Sequence, residues 1–152
     1  MPDTWQLVIL GETPGRDAIR DEALRLDLAH RVHLPGAIAD PAKVLGLFDM
    51  IALASDEQAV VIQAMATGLA VVASDSGDAT TVLAPENRPF LVAPGDDAAL
   101  AAALGTLADN SAVRTRVGMA NRALARTLHD EAAMVAAYRK VYGAALGRDK
   151  FP

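Results

Sequence analysis

The residues best placed to do chemistry lie in SDEQAVVIQAMATGLAVVASDSGD, residues 55–78. Glu57 closes an apolar run just ahead of a helix-like segment. A carboxylate there can accept bonds from sugar hydroxyls, or from the free amides of the helix start as an ordinary cap. Gln63 follows six residues on, roughly one and two-thirds helical turns away. Its amide both donates and accepts, which suits a pair of hydroxyls, but it has no carboxylate to act as a base; alone it also reads as a packed helix-edge residue. The turn GETPG, Gly11–Gly15, lacks the spacing of a dinucleotide fingerprint and the Lys-Ser/Thr end of a P-loop. It either turns a strand into a helix or lines a nucleotide.

Other chemistries are poorly supported. His30, His33 and His129 are far apart and have no carboxylates at ligand spacing, so no metal site is expected. Ser55, Ser74 and Ser76 stand near strand ends without a nucleophile elbow. Asp75, Asp78, Asp96 and Asp97 read as caps, with a magnesium cluster as the alternative. Arg88 pairs locally with Glu86 or meets an acidic ligand. The absence of cysteine excludes thiolate catalysis, disulfides and sulfur-bound metals. With 14 basic and 19 acidic side chains mixed along the chain, the net charge of -5 gives no footprint for nucleic acid or an anionic membrane. The opening MPDTWQLVILGETPG has too short an apolar run for a transmembrane span and no basic leader, so a cytoplasmic location is expected.

These groups need a scaffold that gathers loops. At 152 residues the chain is long enough for one domain with a real core, and the expectation is a single domain over 1–152 with a loose tail at 147–152. The apolar runs LVIL, RVHLPG, MIALAS, LAVVAS and PFLVAPGDD read as five strands broken by Gly and Pro. Helices are expected at about 17–28, with Ile19, Ala23, Leu24 and Leu28 near one side, briefly over Pro41–Phe48, and at 58–67, ending at Gly68. Thr80–Leu83 reads as a short helical piece.

Later helices carry Leu100, Leu104 and Leu107 on one face, then Val113, Val117, Leu124 and Leu128. Asp96 or Asp97 caps the first of these. The last helix is expected to start at the cap Asp130 and to turn Met134, Tyr138, Val141 and Tyr142 inward. Strands alternating with helices imply an α/β, Rossmann-like parallel sheet of about five strands, flanked by helices and with a helix-rich C-terminal third. Ligands of such sheets meet the carboxyl ends of the strands, where helix-start amides can hold a phosphate.

Taken in order, the pieces resemble a known pattern over residues 5 to about 145: a strand with a Gly-containing turn, RV-hydrophobic-PG, a strand ending S-x-E, the run QAMATG, hydrophobic-VV-A-x-D-x-G, a strand ending PGD, and closing helices. This resembles the C-terminal, donor-binding half of GT-B glycosyltransferases, most closely the retaining group of family four. The resemblance implies that a nucleoside diphosphate sugar, UDP- or GDP-linked, binds this chain with no further cofactor, and that the acceptor is held by an N-terminal domain.

Carried over residue by residue, Glu57 matches the first acid of the family, the catalytic position that holds the donor sugar. Gln63 matches the second, facing the ribose. Gln58 and Ala59 would present amides near the diphosphate, and Gly11, Gly36 and Ala37 would line the nucleoside side. The sequence departs from the family in having Gln63 in place of an acid and in a shortened Glu57–Gln63 spacing. The family's diphosphate-neutralising Arg and Lys normally lie upstream of the first strand here. The resemblance thus implies weak nucleotide binding, no turnover by this chain alone, and self-association through a bared cleft as a further expectation. The alternative is a Rossmann-like interaction module without transferase activity.

Overall fold

The computed structural model describes residues 5–12, 14–53, 58–76, 81–128 and 130–147. The backbone clusters into two compact units, Met1–Leu47 and Phe48–Pro152.

In the first unit, β1 (Leu7–Leu10), α1 (Arg16–Arg25) and β2 (Val32–Gly36) form a βαβ unit, followed by the short α2 (Ala42–Leu45). The strands pair in parallel, Leu7 beside Val32 and Val8 beside His33, and the register shifts so that Leu10 meets Gly36. Ala23 of α1 and Leu45 of α2 are buried. α1 stops earlier than its apolar pattern predicts. Asp27 takes the left-handed conformation (φ 56°). Its amide donates to the Leu24 carbonyl and that of Leu28 to Ala23, which is the Schellman closure of a helix end. Leu28 therefore leaves the helical phase, and Leu24 stays 60% exposed.

The second unit holds β3 (Met50–Leu53), α3 (Gln58–Thr67), β4 (Ala70–Ser74), a 3-10 segment (Pro85–Phe90), β5 (Leu91–Val92), α4 (Asp97–Asp109), α5 (Ser111–Leu128) and α6 (Glu131–Ala145). β4 is central, parallel to β3 on one side and β5 on the other. The described residues thus contain the five expected strands, all in parallel pairs and flanked by helices, hydrogen-bonded as a two-stranded and a three-stranded sheet. β4 is buried from Ala70 to Ala73, as a strand covered on both faces must be, and hence reads as an unbroken apolar run. On one side Ala70, Val72, Phe90, Leu107 and Val117 form a cluster, joined by Met50, Leu100, Ala103, Leu104 and Val113.

α3 ends as expected. Gly68 (φ 89°) donates to Met65, and Leu69 donates to Ala64. α5 crosses at this end so closely that a Cβ on Gly118 would stand 2.0 Å from the Gly68 carbonyl oxygen. Buried amides complete the junction. Asn87 binds both backbone groups of Val71 (2.9 and 2.7 Å). Asn121 donates to Leu69 (2.9 Å) and to the Asn87 Oδ1 (2.8 Å) and accepts from the Ala84 amide (3.2 Å). Between α4 and α5, Arg114 donates to the Leu107 carbonyl (2.6 Å), closing the end of α4, and lies 3.6 Å from Asp49.

Asp96 and Asp130 cap α4 and α6, accepting from Ala99 and Ala133. The face expected to turn inward on α6 does not. Met134, Tyr138, Val141 and Tyr142 are 52–65% exposed, and the two tyrosine rings stack on each other at 6.3 Å. Helical spacing puts these side chains on one face as predicted, but the helix is buried only at Gly143. Leu128, expected on the inner face of α5, is exposed as well. Residues 148–152 of the expected tail lie outside the described residues.

Candidate functional site

In the first unit the carboxyl ends of β1 and β2 converge, as in any parallel pair whose crossover returns along the same direction. Gly11 (φ 109°) and Gly36 (φ 87°) both adopt conformations that side chains resist, and the Gly11 amide donates to the Gly36 carbonyl at 3.0 Å. The residue after each glycine adds a second tie: a Glu12 carboxylate oxygen accepts from the Ala37 amide at 3.3 Å. Arg16, the first residue of α1, donates from its guanidinium to the Leu34 carbonyl. Gly36 is buried, and a Cβ there would meet the Glu12 carboxylate at 3.4 Å and the Arg16 guanidinium at 3.5 Å. Three of the sequence-predicted residues, Gly11, Gly36 and Ala37, are therefore brought together, with Glu12 and Arg16 beside them.

In the second unit Gln58 and Ala59 open α3, where the first amides have no partner within the helix. Gln63 is half-buried one turn and more further on, and its carbonyl accepts from the Thr67 hydroxyl at 2.8 Å. Glu57, Ser55 and Asp78 lie outside the described residues, as does His129. His33 is exposed on β2 with its Nε2 2.8 Å from Gln6 Oε1. No group of His, Asp and Glu capable of holding a metal occurs among the described residues, and no described helix is long and apolar enough to cross a membrane.

Sequence reasoning passed over Glu12, Arg16, Asn87, Gly118 and Asn121. One signal was available for Asn121: it lies four residues after Val117, in phase with the apolar stripe of α5, where a polar residue must find buried partners.

The sequence pattern of the family described as Glycosyl transferases group 1 matches residues 2–110. The chain belongs to this family. Group 1 membership agrees with the fold, a Rossmann-like half of the GT-B architecture of the family-four type. Among solved structures, Anabaena HepE in complex with UDP is 22% identical with a TM-score of 0.81, covering 94% of this chain and 42% of that one. Sucrose-phosphate synthase from Thermosynechococcus elongatus is 26% identical with a TM-score of 0.75, covering 91% of this chain and 39% of that one. S. aureus TarM, in a complex that includes UDP, is 20% identical with a TM-score of 0.73, covering 88% and 28%. The group 1 chain thus spans less than half the length of each of these structures. No curated protein is a significant sequence match.

Proposed function

We propose that residues 1–152 act as one donor-binding domain of a retaining glycosyltransferase, taking a UDP- or GDP-linked sugar. The observation that carries this reading is the paired glycine turn at the ends of β1 and β2, Gly11 bonded to Gly36 with Ala37 following, in a chain of the group 1 family. A turn without side chains lets a flat nucleobase approach backbone atoms closely. Gln63 would bond the ribose hydroxyls, the amides of Gln58 and Ala59 would face the diphosphate as helix-start amides do, and Glu57 would hold the donor sugar.

Transfer would need an acceptor held by a separate N-terminal domain. A leaving diphosphate builds up charge that preorganised donors must meet, and losing one such donor costs about 3 kcal/mol. Turnover would require both the donor bound by residues 1–152 and an acceptor brought to it.

The test is calorimetric titration with UDP, GDP and ADP at matched ionic strength, with and without magnesium, repeated on Gln63→Ala. Selective binding of one base that Gln63→Ala weakens supports the reading. Absence of binding to all three at millimolar concentration refutes it and favours the second reading, an interaction module without transferase activity, which the uncharged Gln63 at the family's second acid position also suits.

A further inference from the structure

The strand end proposed to receive the nucleoside is not held by its own residues. Leu34–Ala37 contains Pro35, which has no amide to donate, and Gly36, which supplies no side chain and is the least constrained residue type in an unsupported chain. Leu34–Gly36 is the end of β2, paired with β1 only across a shifted register, and a strand end of this composition is loosely held by the ladder alone. It is tied three times to one short neighbouring stretch: the Gly36 carbonyl to the Gly11 amide, the Ala37 amide to the Glu12 carboxylate, and the Leu34 carbonyl to the Arg16 guanidinium. The last two ties come from side chains of opposite charge that flank Gly36 from the same side, each within 3.5 Å of where its Cβ would be. Neither side chain belongs to the hydrogen-bonding ladder of the two strands, so neither is needed to form the sheet.

We infer that Glu12 and Arg16 are positioning residues that set nucleobase selectivity by fixing the Leu34–Ala37 end of β2 in its receiving conformation. This rests on the donor-binding reading above. A ligand that must order a loose strand end loses affinity by the cost of ordering it, whereas a preformed one binds without that cost. The effect falls on the part of the ligand that meets the strand end. Base discrimination should change while the attraction for the diphosphate, which the strand end does not supply, stays the same.

The experiment titrates wild type, Glu12→Ala, Glu12→Gln, Arg16→Ala and Arg16→Lys with UDP, GDP, ADP and inorganic pyrophosphate, and follows amide exchange at Ala37 in the free chain. Glu12→Ala is expected to reduce the preference for the favoured base by roughly fivefold, the weight of one net hydrogen bond, with pyrophosphate binding unchanged and Ala37 exchanging faster. Glu12→Gln keeps an acceptor oxygen and should restore most of the preference. Arg16→Ala should behave like Glu12→Ala, and Arg16→Lys should recover part.

Equal selectivity in wild type and Glu12→Ala would overturn the inference, as would a uniform loss across nucleotides and pyrophosphate, which marks a general structural defect. If only the variants fail to differ, the positioning role alone falls. If wild type binds no nucleoside diphosphate at all, the donor-binding reading falls and takes the role with it.

Discussion

Replacing Gly118 by Ala tests how α5 is seated. Its Cβ would lie 2.0 Å from the Gly68 carbonyl oxygen, 2.9 Å from the carbonyl carbon and 3.5 Å from the Ala70 amide nitrogen. These are backbone atoms of the α3 closure and the start of β4, so no rotamer change relieves the clash. The two elements must part by about 1 Å before the oxygen contact reaches even the closest normal separation. Parting pulls the fully buried Asn121 from the Leu69 carbonyl and from the fully buried Asn87.

Overpacking costs about 1–3 kcal/mol, and leaving a buried polar group unmade adds about 1–3 kcal/mol. Against this, Ala favours a helix interior over Gly by about 1 kcal/mol. The net expectation is a loss of about 3 kcal/mol. Gly105 of α4 is the control, since a Cβ there meets nothing within 4 Å, and Gly105→Ala should gain about 0.5–1 kcal/mol. Urea unfolding followed by far-ultraviolet circular dichroism measures both, through the shift in midpoint at constant slope. A Gly118→Ala variant within about 1 kcal/mol of wild type, or one stabilised like Gly105→Ala, would refute the close-contact argument.

Other variants probe separate joints. Asn87→Ala leaves the Val71 amide and carbonyl and the Asn121 amide without their partner, and should cost about 3 kcal/mol or more in the same assay. Asp27→Gly relieves an L-residue held at φ 56° and removes a negative charge from a helix C-terminus, so it should raise the unfolding midpoint by the equivalent of about 0.5–1 kcal/mol. Asp96→Ala removes the acceptor of the Ala99 amide and should lower stability by about 1 kcal/mol, whereas Asp96→Asn should lose little.

Much of this architecture is legible in the residues because local rules and tertiary demands agree. The LAVVAS run lies between Gly68 and a turn and can only be a buried strand. Asp96 and Asp130 stand just where apolar periodicity begins, and both cap. The apolar phase of Leu100, Leu104 and Leu107 marks the face that α4 packs on.

Periodicity says which side chains share a face, not whether anything covers it, and so the α6 stripe reads as inward-facing in the sequence although it is exposed. In PENRPF the charges of Glu86 and Arg88 are the conspicuous feature of the sequence, yet both are exposed while Asn87 between them is buried. Polar residues that bind backbone at long sequence separation leave no local trace. The site divides in the same way. Glycines at strand ends announce Gly11 and Gly36, but the pairing of Glu12 with Ala37 spans 25 residues and exists only once β1 and β2 are side by side.

The division of the backbone into two units has an optical consequence. The sole tryptophan, Trp5, falls in Met1–Leu47, and both tyrosines, Tyr138 and Tyr142, stack on α6 in Phe48–Pro152. Indole emission excited at the red edge therefore reports on the βαβ unit, and the tyrosine signal reports on the last helix, with no engineered label in either. Followed together through a denaturant series, superimposable curves mean that one cooperative transition carries the whole chain, whereas curves that separate assign a stability to each unit on its own.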